Sequence, residues 1–355
     1  MTRANEAIRR GNLLASLLAG AWRESTPAFE CSIEELERVM PLLVDTGAAA
    51  LAWRRLRRSG LQSHPAAKQL QDTYRLYKLL AVVYERELVE VFALLRSQGI
   101  EPVVVKGWAV ARSYGEPETR PCGDIDLCVH PSQQEEARSI LKTRTNFSHD
   151  VDVHKGFERL DERGFDELMS RSELVEVEGG SLRVLKPEDH LRVLCYHFLR
   201  EGGWRPLWLC DIAAAVEARP AGFDWDLCLG GKEPFADWTA CVIGLAHQLL
   251  GAELHDTPVA ARAARLPRWL ARGTLREWEL RSVHRRQYTP LLEAGSRPRS
   301  ILKGLRYHWP SPVEATVTMG ASFNALPRLP FQVGNCLSRA AHFFARLPRR
   351  LLNEP

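Results

Sequence analysis

Apolar residues recur every three or four positions over most of this chain, which is the spacing of amphipathic α-helices. The longest such run extends from about residue 65 to residue 98, and Gly99 ends it. Ser32 followed by Glu35 predicts a helix start, because the two side chains can cap each other's backbone N–H groups. About 100 residues of helices are therefore expected first, and their apolar faces indicate packing.

A second kind of spacing begins near residue 102. Short apolar runs or alternating residues predict strands, and Gly179-Gly180 between the last two predicts a hairpin turn. The predicted strands are 102–105, 124–129, 150–154, 173–178 and 181–185. Helices are predicted between them at 107–114, 131–142 and 161–170, and after them at 187–201, 206–218 and 234–251. Prolines punctuate the remainder into shorter helices, and 308–334 reads as a loop or extended arm.

These patterns together predict an α+β fold, in which a small mixed sheet flanked by helices is embedded in a largely helical chain. With 355 residues, two or three structural units are expected from the usual size of domains. The predicted ranges are an N-terminal helical region at 1–100, a strand-containing core at 101–186, a helical domain at 187–255 and a helical C-terminal region at 256–355.

Charge is distributed unevenly along the chain. Residues 256–355 contain 17 Lys and Arg against 6 Asp and Glu, a net charge of +11. Since the whole chain carries +4, residues 1–255 carry −7. The C-terminal region therefore either meets an anionic partner, such as a nucleic acid or a membrane surface, or is an arginine-rich helical surface without one.

The eight cysteines have no Cys-x-x-Cys spacing and fit no zinc template, and several lie inside apolar runs. A reduced, cytoplasmic protein is expected on this basis. The N-terminus leads into a patterned helix rather than a signal sequence, and no run of 18 apolar residues predicts a transmembrane helix.

Three aspartates are the strongest candidates for chemistry. Asp124 and Asp126 are two residues apart on a predicted strand, so both side chains project from one face, and Asp152 takes the polar face of the neighbouring strand. An isolated Asp-x-Asp is more often a solvated strand edge. Three carboxylates from two strands, however, are the arrangement that holds two Mg²⁺ ions against the attacking and leaving oxygens of a phosphoryl or nucleotidyl transfer.

Other polar residues near this cluster are further candidates for contacts with a substrate. Lys106 and the helix start at Gly107 can contact phosphate oxygens. Arg120 either contacts nucleotide phosphates or is solvated, and His154 either touches a phosphate or orients Asp152, or is a simple strand-face histidine.

Four residues between 197 and 211 also have more than one interpretation. His197 and Asp211 lie in otherwise apolar helices and either pair with each other or reach the cleft. Trp204 and Trp208 either stack on a nucleotide base or pack in the core.

As an ensemble these segments resemble the DNA polymerase beta-like nucleotidyltransferase superfamily, and within it a bacterial group of uncharacterised nucleotidyltransferases. The segments that carry the resemblance are 106–111, 114–127, 151–154, 185–191, 194–197 and 208–213. The resemblance implies the nucleotidyltransferase fold for the core, and transfer of a nucleoside monophosphate from an NTP, with ATP expected, to a hydroxyl of a small molecule, protein or peptide.

The resemblance also implies roles for individual residues. Asp124, Asp126 and Asp152 would be the catalytic, Mg²⁺-ligating carboxylates, and Asp152 could also accept the proton of the acceptor hydroxyl. The expected nucleotide contacts are Lys106, Gly107, Arg120, Gly123 and His154.

Two departures from the superfamily pattern stand out. Trp108 replaces the small residue that usually follows the turn glycine, and only about seven residues separate the helix ending near Lys142 from the Asp150 strand. Trp108 favours one alternative, a binding or scaffold protein without catalysis, and the basic C-terminal region favours another, modification of nucleic-acid ends.

Overall fold

The structure is a computed structural model that describes residues 3–27, 29–143, 147–158, 160–285 and 309–351. Seven helices precede or interleave with the strands: α1 (Arg3–Leu18), α2 (Ile33–Asp45), α3 (Ala49–Leu56), α4 (Pro65–Arg96), α5 (Trp108–Ala111), α6 (Gln134–Lys142) and α7 (Phe165–Arg171). Within the described residues eight more follow: α8 (Pro187–Arg200), α9 (Pro206–Glu217), α10 (Trp225–Leu229), α11 (Phe235–Leu250), α12 (Ala260–Ala263), α13 (Arg268–Arg285), α14 (Pro312–Thr318) and α15 (Leu329–Leu351).

Five strands form one mixed sheet in the order β3-β2-β1-β5-β4. The strands are β1 (Val103–Val104), β2 (Asp124–Val129), β3 (Asp150–Lys155), β4 (Glu173–Val177) and β5 (Gly180–Val184). The β1–β2 and β4–β5 pairs are antiparallel, whereas β2–β3 and β1–β5 are parallel. The α+β class with a small mixed sheet is confirmed.

Helices cover both faces of this sheet because its strands are apolar on both sides. On one face Ile125, Leu127 and Val129 pack against α4 and α6. On the other face Cys128 packs with residues of α7 and α8. Since side chains alternate along a strand, Asp124 and Asp126 share the face of Cys128, at the end of β2 where the helices no longer cover it.

The helices before and after the sheet form one packed body. A single cluster of buried side chains includes α1, α2 and α3 from the N-terminal region and α8, α9, α11 and α13 from the later regions. The predicted domain ranges stay a prediction, but the N-terminal helices and those beyond residue 187 share this core.

Most predicted elements have the expected positions, with a few differences. The capping box between Ser32 and Glu35 is present. The predicted hairpin is also present, but its turn is Glu178-Gly179, one residue earlier than predicted, because Gly180 pairs with Val177 as the first residue of β5. The helix after Gly107 is shorter than predicted and comprises only α5. The prediction of a loop or arm over 308–334 was wrong for the described residues, since α14 and the start of α15 lie there. Ser311 caps α14 by accepting a hydrogen bond from the Glu314 N–H. This helix start was not predicted because the neighbouring prolines suggested a loop.

All eight cysteines are free thiols, and most are buried. Among the described residues, no helix combines the length and the apolar character that are needed to cross a bilayer.

Candidate active site

The parallel pairing of β2 and β3 sets aspartates of the two strands opposite each other in pairs. Asp126 is directly opposite Asp152, and Asp124 is directly opposite Asp150. The same register places His154 beside Cys128, two residues further along β3. Because residues i and i+2 share a face, Asp152 and His154 project toward Asp126. The period-two pattern over 150–154 was therefore sufficient to predict this grouping.

Asp126 is the most constrained of the carboxylates. It is only 6% exposed, and its Oδ1 lies 2.6 Å from Lys106 Nζ and 2.9 Å from His154 Nε2. Burial alone would raise the pKa of Asp126, but the His154 hydrogen bond and the Lys106 charge outweigh it and lower the pKa to about 2. Asp126 is therefore an anion at neutral pH even though it is buried.

Asp124 has a different environment at the first residue of the same strand. Its side chain is exposed to the cleft, and its backbone carbonyl accepts a hydrogen bond of 2.9 Å from the Tyr84 hydroxyl. Partial burial and the neighbouring Asp126 charge raise the pKa of Asp124 above its ordinary value. A cation placed between the two carboxylates would relieve this repulsion.

The described residues include one group of side chains whose donor atoms converge as metal ligands do. Single atoms of Asp126, Asp152 and His154 lie within 4.8 Å of one another. Asp124 lies at the same strand end but outside this group, so the set differs from the predicted one by containing His154 in place of Asp124. Carboxylate oxygens are the ligands that Mg²⁺ prefers, and Asp126 and Asp152 supply them, whereas an imidazole nitrogen is more typical of transition metals.

The turn at Gly107 is built on a conformation that favours glycine, with φ +56°. A Cβ at this position would lie 3.2 Å from the Tyr84 hydroxyl oxygen. Lys106, the residue before it, directs its ammonium toward Asp126. The turn thus carries the positive charge to the carboxylates while its backbone borders the cleft.

Trp108 points away from this site. Its indole is buried in the cluster between the sheet and α4, and its Nε1 donates a hydrogen bond of 2.7 Å to the Glu85 carboxylate. Trp108 is not one of the described residues that line the cleft. The bulky residue after the turn glycine is therefore accommodated in the core rather than in the space beside Lys106.

Asp124 and Asp126 open into a cleft of about 590 Å³, whose described lining does not include Asp152 or His154. Asp124, Asp126, Lys106, Gly107 and Gly123 line one side. The remaining walls come from α2 with the residues after it, from α4, from the loop before β2, and from α8 and α9. These contribute Val44, Asp45, Gly47, Tyr77, Leu80, Ala81, Tyr84, Arg120, Pro121, Cys122, His197, Arg205 and Trp208. The size is that of a small-molecule or nucleotide site.

His197 and Trp208, whose roles the sequence left undecided, lie in this cleft. His197 packs edge-on against Trp208, with ring centroids 4.6 Å apart. Burial, reinforced by the positive charge of Lys106, lowers the pKa of His197 to about 3, so its imidazole is neutral at pH 7. Trp208 borders the cleft, whereas Trp204 is buried behind it.

Asp211 does not pair with His197 but with residues of the loop before β2. Arg120 binds it through Nη2–Oδ2 (2.8 Å) and Nε–Oδ1 (3.1 Å), and the Tyr114 hydroxyl donates to Oδ1 at 2.6 Å. Arg120 is 7% exposed and Asp211 1%. The guanidinium of Arg120 borders the cleft but has a carboxylate partner, so its clearest role is to attach the loop that leads to Asp124 onto α9.

Tyr77 and Tyr84 were missed as site residues by reasoning from the sequence. Both lie on α4 and line the cleft. Tyr84 falls on the same helical stripe as Leu88 and Val91, and that spacing predicts packing. The polar tip of a tyrosine on an apolar stripe near the sheet was the one available signal.

Comparison with known families gives one match. The sequence model of a family described as "Uncharacterised nucleotidyltransferase" matches residues 33–145 and 143–231, which is more than half of the chain. No curated protein and no solved structure gives a significant match.

Proposed function

The chain belongs to the uncharacterised nucleotidyltransferase family, and from this premise we propose that it is a Mg²⁺-dependent enzyme. It moves a nucleoside monophosphate from an NTP, with ATP as the expected donor, to the hydroxyl group of an acceptor. The observation that carries the proposal is the convergence of Asp126 and Asp152 from two parallel strands, with Lys106 2.6 Å from Asp126, at the edge of a nucleotide-sized cleft.

The reaction forms one bond and breaks one. The acceptor oxygen attacks the α-phosphorus of the NTP, a new O–P bond forms, and the bond between the α-phosphorus and the bridging oxygen to the β-phosphate breaks. Pyrophosphate leaves with that electron pair. Asp152 is the proposed acceptor of the hydroxyl proton, since it is exposed at the site and lies opposite Asp126.

Asp124, Asp126 and Asp152 are the residues that would hold Mg²⁺. Bound there, the metal supplies positive charge that neutralises the triphosphate and the developing charge on the attacking and leaving oxygens. The low pKa of Asp126 keeps that ligand ionised throughout the physiological range.

The remaining cleft residues position the substrates. Lys106 carries a point charge suited to a phosphate oxygen, and the backbone at Gly107 and Gly123 permits close approach. On the opposite wall, Tyr77, Trp208 and the neutral His197 offer aromatic faces and one hydrogen-bonding imidazole. We assign that wall to the base or to the acceptor.

One observation favours a second candidate, a protein that binds through this fold without catalysis. Lys106 and His154 both contact the same Asp126 oxygen, so that the carboxylate is already neutralised by protein groups. In an enzyme, Lys106 has to exchange this contact for one with the nucleotide. In a binding protein it would keep the contact.

A labelled-nucleotide assay distinguishes the two candidates. The protein is incubated with Mg²⁺ and each α-³²P NTP, and pyrophosphate release and transfer of label to co-purified material are followed. The enzyme gives both signals, and Asp124→Asn/Asp126→Asn abolishes them. A protein that neither binds nor consumes any NTP, with an unchanged thermal melt in Mg-NTP, would contradict the proposal.

A further inference from the structure

We propose that α15 docks the protein onto the surface of an anionic lipid bilayer, with the helix lying in the plane of the surface. This surface lies outside the cleft and does not depend on the transfer reaction. The inference rests on how α15 is attached to the body, which apolar side chains it exposes, and how charge is distributed in its sequence.

One side of α15 is fixed to the protein. Asn335 is buried, and Gln332 donates a hydrogen bond of 2.8 Å to the Pro310 carbonyl. The guanidinium of Arg328, just before the helix, lies 4.9 Å from the ring centre of Trp269 on α13. The helix is therefore anchored at its first turns and has a defined outward side.

That outward side is apolar. Leu329, Val333 and Leu337 are 41% to 66% exposed, and Leu326 in the preceding turn is 59% exposed. A spacing of four residues turns by about 40° on a helix, so these three side chains form one stripe. The sequence continues the same three-and-four spacing through Ala340, Phe344, Leu347 and Leu351, over a helix about 34 Å long.

Charge in this part of the chain is of one sign. Residues 315–353 contain five arginines, at positions 328, 339, 346, 349 and 350, and no aspartate or glutamate. Arg328 is buried and Arg339 lies 3.9 Å from Glu314, so the role of charge rests on the three arginines at 346, 349 and 350 in the sequence of the last turns. A helix that combines an exposed apolar stripe with basic residues and no acidic ones has the features of helices that lie at lipid–water interfaces. Basic residues next to such a stripe favour a bilayer whose headgroups are anionic.

A second group of exposed apolar side chains lies on α4, where Leu76, Leu79, Leu80, Val82 and Val83 are 40% to 71% exposed. Leu79 and Val82 on α4 are 69% and 71% exposed, but their helix carries acidic and basic residues in mixture. They provide a control, because replacing them removes exposed apolar area without changing α15.

The test is co-sedimentation of the full chain with vesicles of phosphatidylcholine alone or with one third phosphatidylserine. We expect binding to the anionic vesicles that weakens at high salt, and little binding to the neutral ones. Leu329→Ser/Val333→Ser/Leu337→Ser and Arg346→Gln/Arg349→Gln/Arg350→Gln should each weaken binding at least about tenfold. Leu79→Ser/Val82→Ser should bind as wild type, and circular dichroism melts confirm that each variant is folded.

Several outcomes would overturn the proposal. Equal binding to neutral and anionic vesicles would show that charge does not drive the interaction. Loss of binding in the α4 control would show that the binding surface is not specific to α15. Absence of vesicle binding together with salt-sensitive binding to RNA or DNA identifies a nucleic-acid surface instead. Absence of vesicle binding with a dimer that the leucine variants disrupt identifies a second copy of the chain as the occupant.

Discussion

The ammonium of Lys106 lies 2.6 Å from the Asp126 oxygen that His154 also contacts. A buried carboxylate with two cationic or hydrogen-bonding partners is held in one orientation before any ligand arrives. The cleft is thereby preorganised around Asp126, and the groups that hold it are themselves candidates for contacts with the nucleotide.

Replacing Lys106 tests whether this residue exchanges its partner. Lys106→Met removes the charge that we assign to a phosphate oxygen, so the KM for the NTP should rise by about 10- to 100-fold, the range expected for a lost hydrogen bond to a charged group. Steady-state kinetics of pyrophosphate release measures it. Lys155→Met, an exposed lysine on β3, is the control and should leave KM unchanged. An unaltered KM in Lys106→Met would favour a purely structural pairing with Asp126.

Because Trp108 points away from the cleft, replacing it should change the stability of the fold and leave nucleotide binding unchanged. Trp108→Phe removes the hydrogen bond to the Glu85 carboxylate and should cost about 1–3 kcal/mol in urea unfolding, with nucleotide affinity unchanged. Gly107→Ala in the same turn should instead weaken nucleotide binding, because a side chain is strained at this positive φ and crowds Tyr84. If Trp108→Phe weakened binding as much as Gly107→Ala, the indole would have a role in the cleft.

The buried pair of Arg120 and Asp211 predicts a large stability effect. Asp211→Ala leaves the Arg120 guanidinium buried without its carboxylate, which should destabilise the fold by about 3–5 kcal/mol. Tyr114→Phe removes only a hydroxyl donor to the same carboxylate and should cost about 1–2 kcal/mol. Equilibrium urea unfolding compares the two variants. Equal losses of unfolding free energy would show that the ion pair between Arg120 and Asp211 adds little to stability.

Glu217 predicts a pH dependence of stability. Burial raises its pKa, but donors from Arg23, Trp22 and the Glu253 backbone outweigh it and leave the pKa below the ordinary value of 4.5. Because the folded-state pKa is depressed, the stabilisation is complete above about pH 4.5 and is lost as pH falls through the lower folded value. Glu217→Gln should therefore cost about 1–3 kcal/mol at pH 7.

The same experiment contains its control. Urea unfolding of wild type and Glu217→Gln is repeated between pH 7 and pH 3, and the difference in unfolding free energy should shrink at the acid end. A difference that stays constant with pH would mean that Glu217 acts through packing rather than through its charge.

Local patterns were sufficient to predict the sheet and the carboxylate cluster. The alternation over 150–154 and the Asp124/Asp126 spacing each depend on a period of two, which a strand translates directly into a face. Arg120 could not be assigned in the same way, because its partner Asp211 is 91 residues away and only tertiary packing brings them together. Tyr84 could not be recognised as a site residue either, because its spacing on α4 is that of a core residue.

The most direct test of the central claim compares two aspartates on β3. Asp152 is opposite Asp126 and Asp150 is opposite Asp124, both on the same strand and both exposed. With Mg²⁺ and the preferred NTP, Asp152→Asn should lower the rate of pyrophosphate release by at least about 100-fold. Asp150→Asn should stay within a few-fold of wild type. Full activity in Asp152→Asn, or equal losses in both variants, would contradict the assignment of this site.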